Sequence, residues 1–93
     1  MSCVVYILES LKDGTLYTGQ TSNLASRLGR HNKGQVKSTK ARAPFRIVYV
    51  EIVASRSDAM WREWELKTKW NTDRKRKLIQ DKGPESLKLL TGL

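Results

Sequence analysis

Cysteine is nearly absent. Cys3 stands alone, so no disulfide can close within the chain and a reducing, cytoplasmic setting is expected. No Cys/His cluster has zinc-ligand spacing, no Gly-rich loop is built to cradle a nucleotide phosphate, and no serine sits in a nucleophile elbow. No apolar run approaches the ~20 residues of a membrane span. The apolar start, Met1 to Leu8, lacks both the charge and the small-residue cleavage site of a secretory signal. Acidic residues are scarce too, nine against eighteen Lys and Arg, which leaves a net charge of +9. Zinc, redox and acyl-transfer chemistry lose their usual residues; partners rich in phosphate remain.

What is present reads as one small α/β domain. Residues 3–9 are β-rich and almost wholly apolar, as a central strand would be. Lys12-Asp13-Gly14 supplies a turn, and residues 15–20 return as a second strand. That hairpin brings Tyr6 and Tyr17 close to cross-strand register on one face. Gly19 within the strand suggests a bulge or a close approach by another backbone. Ser22 or Asn23 caps a first helix with Leu24 and Leu28 one turn apart, which Gly34 ends. Residues 33–44 form a polar, basic loop, and Phe45 to Val53 alternate as a third strand. Ser57 is expected to cap a helix over 58–70, and Asn71 or Thr72 another over 73–81, stopped by Gly83-Pro84. The order β-β-α-β-α-α implies a three-stranded, mainly antiparallel sheet with flanking helices. Its limits are 1–93, with a core over 3–82 and a tail over 83–93.

A few residues have chemical potential beyond packing. Glu63 stands with Ala59, Leu66 and Trp70 at −4, +3 and +7, beside an apolar stripe. A carboxylate there needs a partner, either a core-edge arginine or a hard metal ion. Glu65, two positions on, turns ~200° to another side of the helix. Arg27 and His31 are an i, i+4 pair: a solvated helix face, or a cation for phosphate and a near-neutral proton carrier. Tyr6 and Tyr17 are packing residues or phenols able to donate hydrogen bonds or act as bases. Lys37, Lys40, Arg42 and the run Arg74-Lys75-Arg76-Lys77 are solvated charge or a path for a phosphate backbone. Trp61 is placed to be exposed, as a stacking or partner surface.

Taken in order, Val4-Val5-Tyr6, Tyr17-Thr18-Gly19, Arg27-Leu28 with His31-Asn32, and Arg62-Glu63 before Lys67 resemble the GIY-YIG nuclease superfamily. Within it the chain is similar to small single-domain bacterial proteins of the YhbQ-like type. The first triplet departs from Gly-Ile-Tyr, though its tyrosine remains. The resemblance implies an endonuclease that hydrolyses phosphodiester bonds with Mg²⁺ or Mn²⁺, acting on nucleic acid, DNA ahead of RNA. It places motif tyrosines on Tyr6 and Tyr17, the catalytic arginine on Arg27, a histidine of the small subfamily on His31, and the metal ligand on Glu63. It implies no membrane association; a monomer is expected, with room for a protein partner. The alternative on the same fold is a catalytically idle nucleic-acid-binding or adaptor module.

Overall fold

The structure is a computed structural model that describes residues 3–92. Met1, Ser2 and Leu93, which the expected domain limits include, lie outside the described residues. The elements are β1 (Cys3–Ser10), β2 (Leu16–Thr21), α1 (Leu24–Asn32), β3 (Phe45–Val53), α2 (Arg56–Thr68) and α3 (Thr72–Leu87), with short 3₁₀ turns at Lys40–Arg42 and Lys88–Gly92. The strands form one antiparallel sheet in the order β2-β1-β3, the small α/β architecture expected.

Because β1 is central and the sheet is covered on both faces, both of its side-chain sets are buried. Val4, Tyr6 and Leu8 pack with Leu24 of α1 and with Phe45 and Val50 of β3. Cys3 and Val5 pack on the other face with Ala59 and Leu66 of α2, and Ile7 with Val48 and Tyr49. A continuous apolar run rather than an alternating one is what such a strand requires. Cross-strand partners share a face, so Gln20 (opposite Val5) and Thr18 (opposite Ile7) lie on the α2 side, while Tyr17 (opposite Leu8) lies on the α1 side.

Each helix begins at a capping side chain. Asn23 accepts from the Ser26 amide at 3.1 Å and Asn71 from the Arg74 amide at 2.8 Å. The second cap is Ser55, not Ser57. It holds extended backbone and its Oγ accepts from the Asp58 amide at 3.1 Å, so α2 starts at Arg56 and ends at Thr68. Trp70 therefore lies past α2, though it still packs against the core under that helix.

The third helix corrects a larger expectation. It runs through Gly83-Pro84 to Leu87 rather than stopping at 81, so residues 83–87 continue the helix, with Gly83 buried and Leu87 packed on the core. Proline removes one helical hydrogen bond, and tertiary contacts offset that loss. A Cβ on Gly83 would stand 2.5 Å from the Val48 carbonyl oxygen, so the helix lies against the β3 backbone there. One turn on, Ser86 Oγ accepts from the Val50 amide at 3.1 Å and donates to the Gly83 carbonyl at 2.8 Å. An outward amide of an edge strand is thereby satisfied.

Gly83→Ala tests this contact. Helix propensity alone favours Ala by about 1 kcal/mol, whereas a methyl forced into the β3 backbone costs about 1–3 kcal/mol. Urea denaturation should show a net loss of stability; a gain would mean that α3 does not lie this close to β3.

Candidate active site

Tyr6 is fully buried, and its hydroxyl is engaged on two sides. Arg27 Nε donates to Tyr6 Oη at 3.3 Å, and Tyr6 Oη lies 3.1 Å from His31 Nε2. On the far side of the imidazole, His31 Nδ1 is 2.8 Å from Thr39 Oγ1, and that hydroxyl donates to the Val36 carbonyl at 3.3 Å. With the threonine proton directed at a carbonyl, Nδ1–H is the donor to Thr39 and Nε2 accepts from the Tyr6 hydroxyl. The chain Arg27→Tyr6→His31→Thr39→Val36 is thus fully satisfied, and its central members are out of water.

Burial sets the protonation. His31, against the near-neutral titration expected from its type, is pushed down to about 4 by desolvation first and by the charges of Arg27 and Arg30. It is a neutral, caged ring, in edge-on contact with Tyr17 at 4.9 Å, Phe45 at 5.9 Å and Tyr6 at 6.1 Å between centroids. The Tyr6 phenol is raised, chiefly by desolvation, and so remains protonated. Arg27 is raised further, first by its hydrogen bond to Tyr6, and stays charged. Tyr17 keeps part of its ring exposed at the edge of the sheet, 6.4 Å from Tyr6.

Room for the Tyr6 ring comes from Gly19. The β1–β2 register runs unbroken, so no bulge forms at Gly19. What approaches closely is a side chain: a Cβ on Gly19 would lie 2.5 Å from Tyr6 Oη and 2.6 Å from Cζ.

Glu63 reaches this group from another direction. Tyr6, Tyr17, Arg27 and His31 join on the α1 side, whereas α2 covers the opposite face of the sheet through Ala59 and Leu66. Glu63 is connected to them through Lys67. The Lys67 ammonium is 3.2 Å from Glu63 Oε2 and 5.3 Å from the centroid of the Tyr17 ring. The Glu63 charge is felt at Tyr6, where it helps raise the phenol. Among the described residues no arginine pairs with Glu63. Arg62 binds Glu51 at 2.8 Å and Glu65 at 2.6 Å instead, which turns Glu65 away from the tyrosines.

Among the described residues no three His, Cys, Asp or Glu cluster as a ready metal cage. A single carboxylate, one-quarter exposed, fits the other mode, in which Mg²⁺ or Mn²⁺ is held by one or two carboxylates with water and substrate phosphate. Both nitrogens of His31 are occupied, so it is not available as a ligand.

The basic residues separate into groups. Lys37, Lys40 and Lys77 are exposed. Arg42 donates to Thr15 Oγ1 and to the Ser38 carbonyl, and Arg76 binds Glu9 and the Gly14 carbonyl, so both hold the β1–β2 turn in place. The Arg74 guanidinium lies 3.7 Å from the Trp70 ring centroid. Lys75 is half-buried, lowered by desolvation first and by the Lys67 charge second. Trp61 is exposed as expected and stacks on Trp64 at 5.1 Å, with Lys69 Nζ 5.4 Å from the Trp64 ring. Two members of the site lie beyond the expected set. Lys67 had a legible signal, its i, i+4 spacing from Glu63. Thr39, a threonine in a polar loop, had none.

Gly19→Ala should push the Tyr6 ring aside and break its bonds to Arg27 and His31, costing about 1–3 kcal/mol. Gly29→Ala is the control: its added Cβ meets nothing within 4 Å on α1, so helix propensity should stabilise it by up to about 1 kcal/mol. Chemical denaturation of both variants checks the contrast; equal effects would remove the close approach as the reason for Gly19.

Residues 2–77 match the GIY-YIG catalytic domain family. A UPF0213 protein of Staphylococcus haemolyticus is 44% identical over 79 residues, 84% of this chain and 94% of that protein. One of Staphylococcus saprophyticus is 42% identical over 78 residues, 83% and 93% of the two chains. The solution NMR structure of a UPF0213 protein from Bacillus halodurans, 39% identical, superposes with a TM-score of 0.58 over 89% of this chain and 87% of that one. Family match, relatives and fold agree: the chain belongs to the GIY-YIG catalytic domain family and stands among its UPF0213 proteins.

Proposed function

We propose that this domain hydrolyses phosphodiester bonds of nucleic acid, DNA ahead of RNA, as a Mg²⁺- or Mn²⁺-dependent endonuclease. The observation that carries the reading is the guanidinium of Arg27, held by the buried Tyr6 hydroxyl beside the half-buried Tyr17, with the Glu63 charge within electrostatic reach of Tyr6. Membership of a catalytic domain family agrees with it. No helix among the described residues is long and apolar enough to cross a membrane.

Each side chain has a role that its surroundings support. Arg27 steadies charge on the phosphate as water bonds to phosphorus and the bond to the leaving sugar oxygen breaks. Tyr17, rather than the buried Tyr6, faces the attacking water and takes or relays its proton. Tyr6, His31 and Thr39 are positioning residues: they hold Arg27 and keep the phenol cluster in register. Glu63 would hold the divalent ion, which when bound supplies charge neutralisation at the phosphate. Lys37, Lys40, Arg74, Lys75 and Lys77 would follow the backbone without reading sequence, while Arg42 and Arg76 chiefly brace the hairpin turn. The binding-module alternative draws support from the exposed Trp61–Trp64 pair.

The two readings separate on variants. Glu63→Gln should lower cleavage at least about a hundredfold while DNA binding holds or tightens, because a negative charge near phosphate is gone. Arg27→Ala should weaken both, with the larger loss in rate. Cleavage of single-stranded, duplex and branched DNA, read beside affinity and melting temperature, decides. An early-melting Glu63→Gln that cuts at the parental rate would make Glu63 structural.

A further inference from the structure

Glu63 is the carboxylate to which the proposed function assigns the metal, and the inference below rests on that assignment. In the structure a cation already faces it. The Lys67 ammonium is 3.2 Å from Glu63 Oε2 and at the same time 5.3 Å from the Tyr17 ring centroid. One charge therefore bridges the helix that carries the carboxylate and the strand edge that carries the half-buried Tyr17. We propose that Lys67 is an exchangeable cation of the site: it pairs with Glu63 in the absence of metal, and binds the substrate phosphate once a divalent ion occupies Glu63.

Three features support exchange rather than a fixed structural pair. The bond is a single i, i+4 contact with 45% of the lysine side chain and 24% of the glutamate exposed, so solvent screens it and little energy holds it. Lysine is a point charge on a flexible stem with three donors, able to swing from carboxylate to phosphate without changing its backbone. A second cation stands nearby: Lys75 is close enough to feel the Lys67 charge. A divalent ion at Glu63 would both remove the carboxylate partner and repel the ammonium. A released Lys67, 5.3 Å from the Tyr17 ring centroid, is placed to meet an anion over that ring, where the scissile phosphate is expected.

The reciprocal of that displacement is measurable without catalysis. A neutral side chain at 67 no longer competes with metal for Glu63. Mn²⁺ binding, followed by loss of the free-ion EPR signal in the absence of nucleic acid, should tighten about three- to tenfold in Lys67→Met. Lys67→Arg should stay near the parent, and Glu63→Gln should lose the site. DNA affinity gives a second readout. With Ca²⁺ present, Lys67→Met should make the salt dependence for a short fluorescent duplex shallower by about 0.9, the contribution of one phosphate contact. In EDTA, with Lys67 still paired to Glu63 in the parent, the slope should hardly change. Parental Mn²⁺ affinity in Lys67→Met, or an equal loss of slope with Ca²⁺ and with EDTA, overturns the exchange. If Glu63→Gln binds Mn²⁺ like the parent, the metal assignment fails and the exchange fails with it. If Glu63→Gln loses the ion while Lys67→Met is parental, only the role of Lys67 is lost.

Discussion

The Tyr6 hydroxyl accepts from Arg27 and donates to His31, and the order of the site depends on its doing both at once. An arginine on a helix facing solvent has many rotamers, and fixing one of them costs side-chain entropy. Here that cost is met by a phenol that cannot move: Tyr6 is buried in the core of the central strand, and its ring rests over a strand position without a side chain. On the other side, a neutral imidazole held by Thr39 accepts the phenol proton. Removing Tyr6 or Thr39 leaves a buried ring nitrogen of His31 unpaired, which is why such a network specifies a single arrangement.

The sheet determines what can be reached from where. With helices on both faces, residues 3–8 of β1 are buried, and the chemistry that its tyrosine supports must be delivered by neighbours. The outer edge of β2 is where the two sides meet. Tyr17 belongs to the α1 face, α2 belongs to the other, and Lys67 spans the edge between them. That position gives the site one tyrosine and one carboxylate partly open to solvent, beside a guanidinium already pre-organised. Oriented groups of this kind act mainly by positioning and electrostatics, the terms that dominate phosphoryl transfer.

Much of this was legible in the chain. An unbroken apolar run identified the central strand, and a period of two placed Tyr6 and Tyr17 on one face, where they now stand two positions apart in register. Asn23 and Asn71 were readable as caps because their side chains offer the acceptor a helix start needs. Ser55 and Ser57 offer the same acceptor; which one serves depends on backbone angles that the sequence does not display. The passage of α3 through Pro84 depends on a contact with β3 that only the folded chain creates. The same holds for His31. Its spacing from Arg27 gave the helix face correctly, yet its near-neutral titration was lost to burial under a loop residue and three aromatic rings. Nor does the helix stripe show that Glu63, on the helix over the other face, approaches the tyrosines round the strand edge.

The central claim is that His31 is a buried neutral imidazole, protonated on Nδ1 and accepting the Tyr6 proton on Nε2. Because the chain has a single histidine, ¹⁵N NMR of its ring reports this directly across a pH titration. The account predicts a protonated Nδ1 and an unprotonated Nε2 that hold their shifts through neutral pH and titrate only near 4. Rapid tautomer averaging, or a midpoint near the ordinary value of about 6.5, would contradict it.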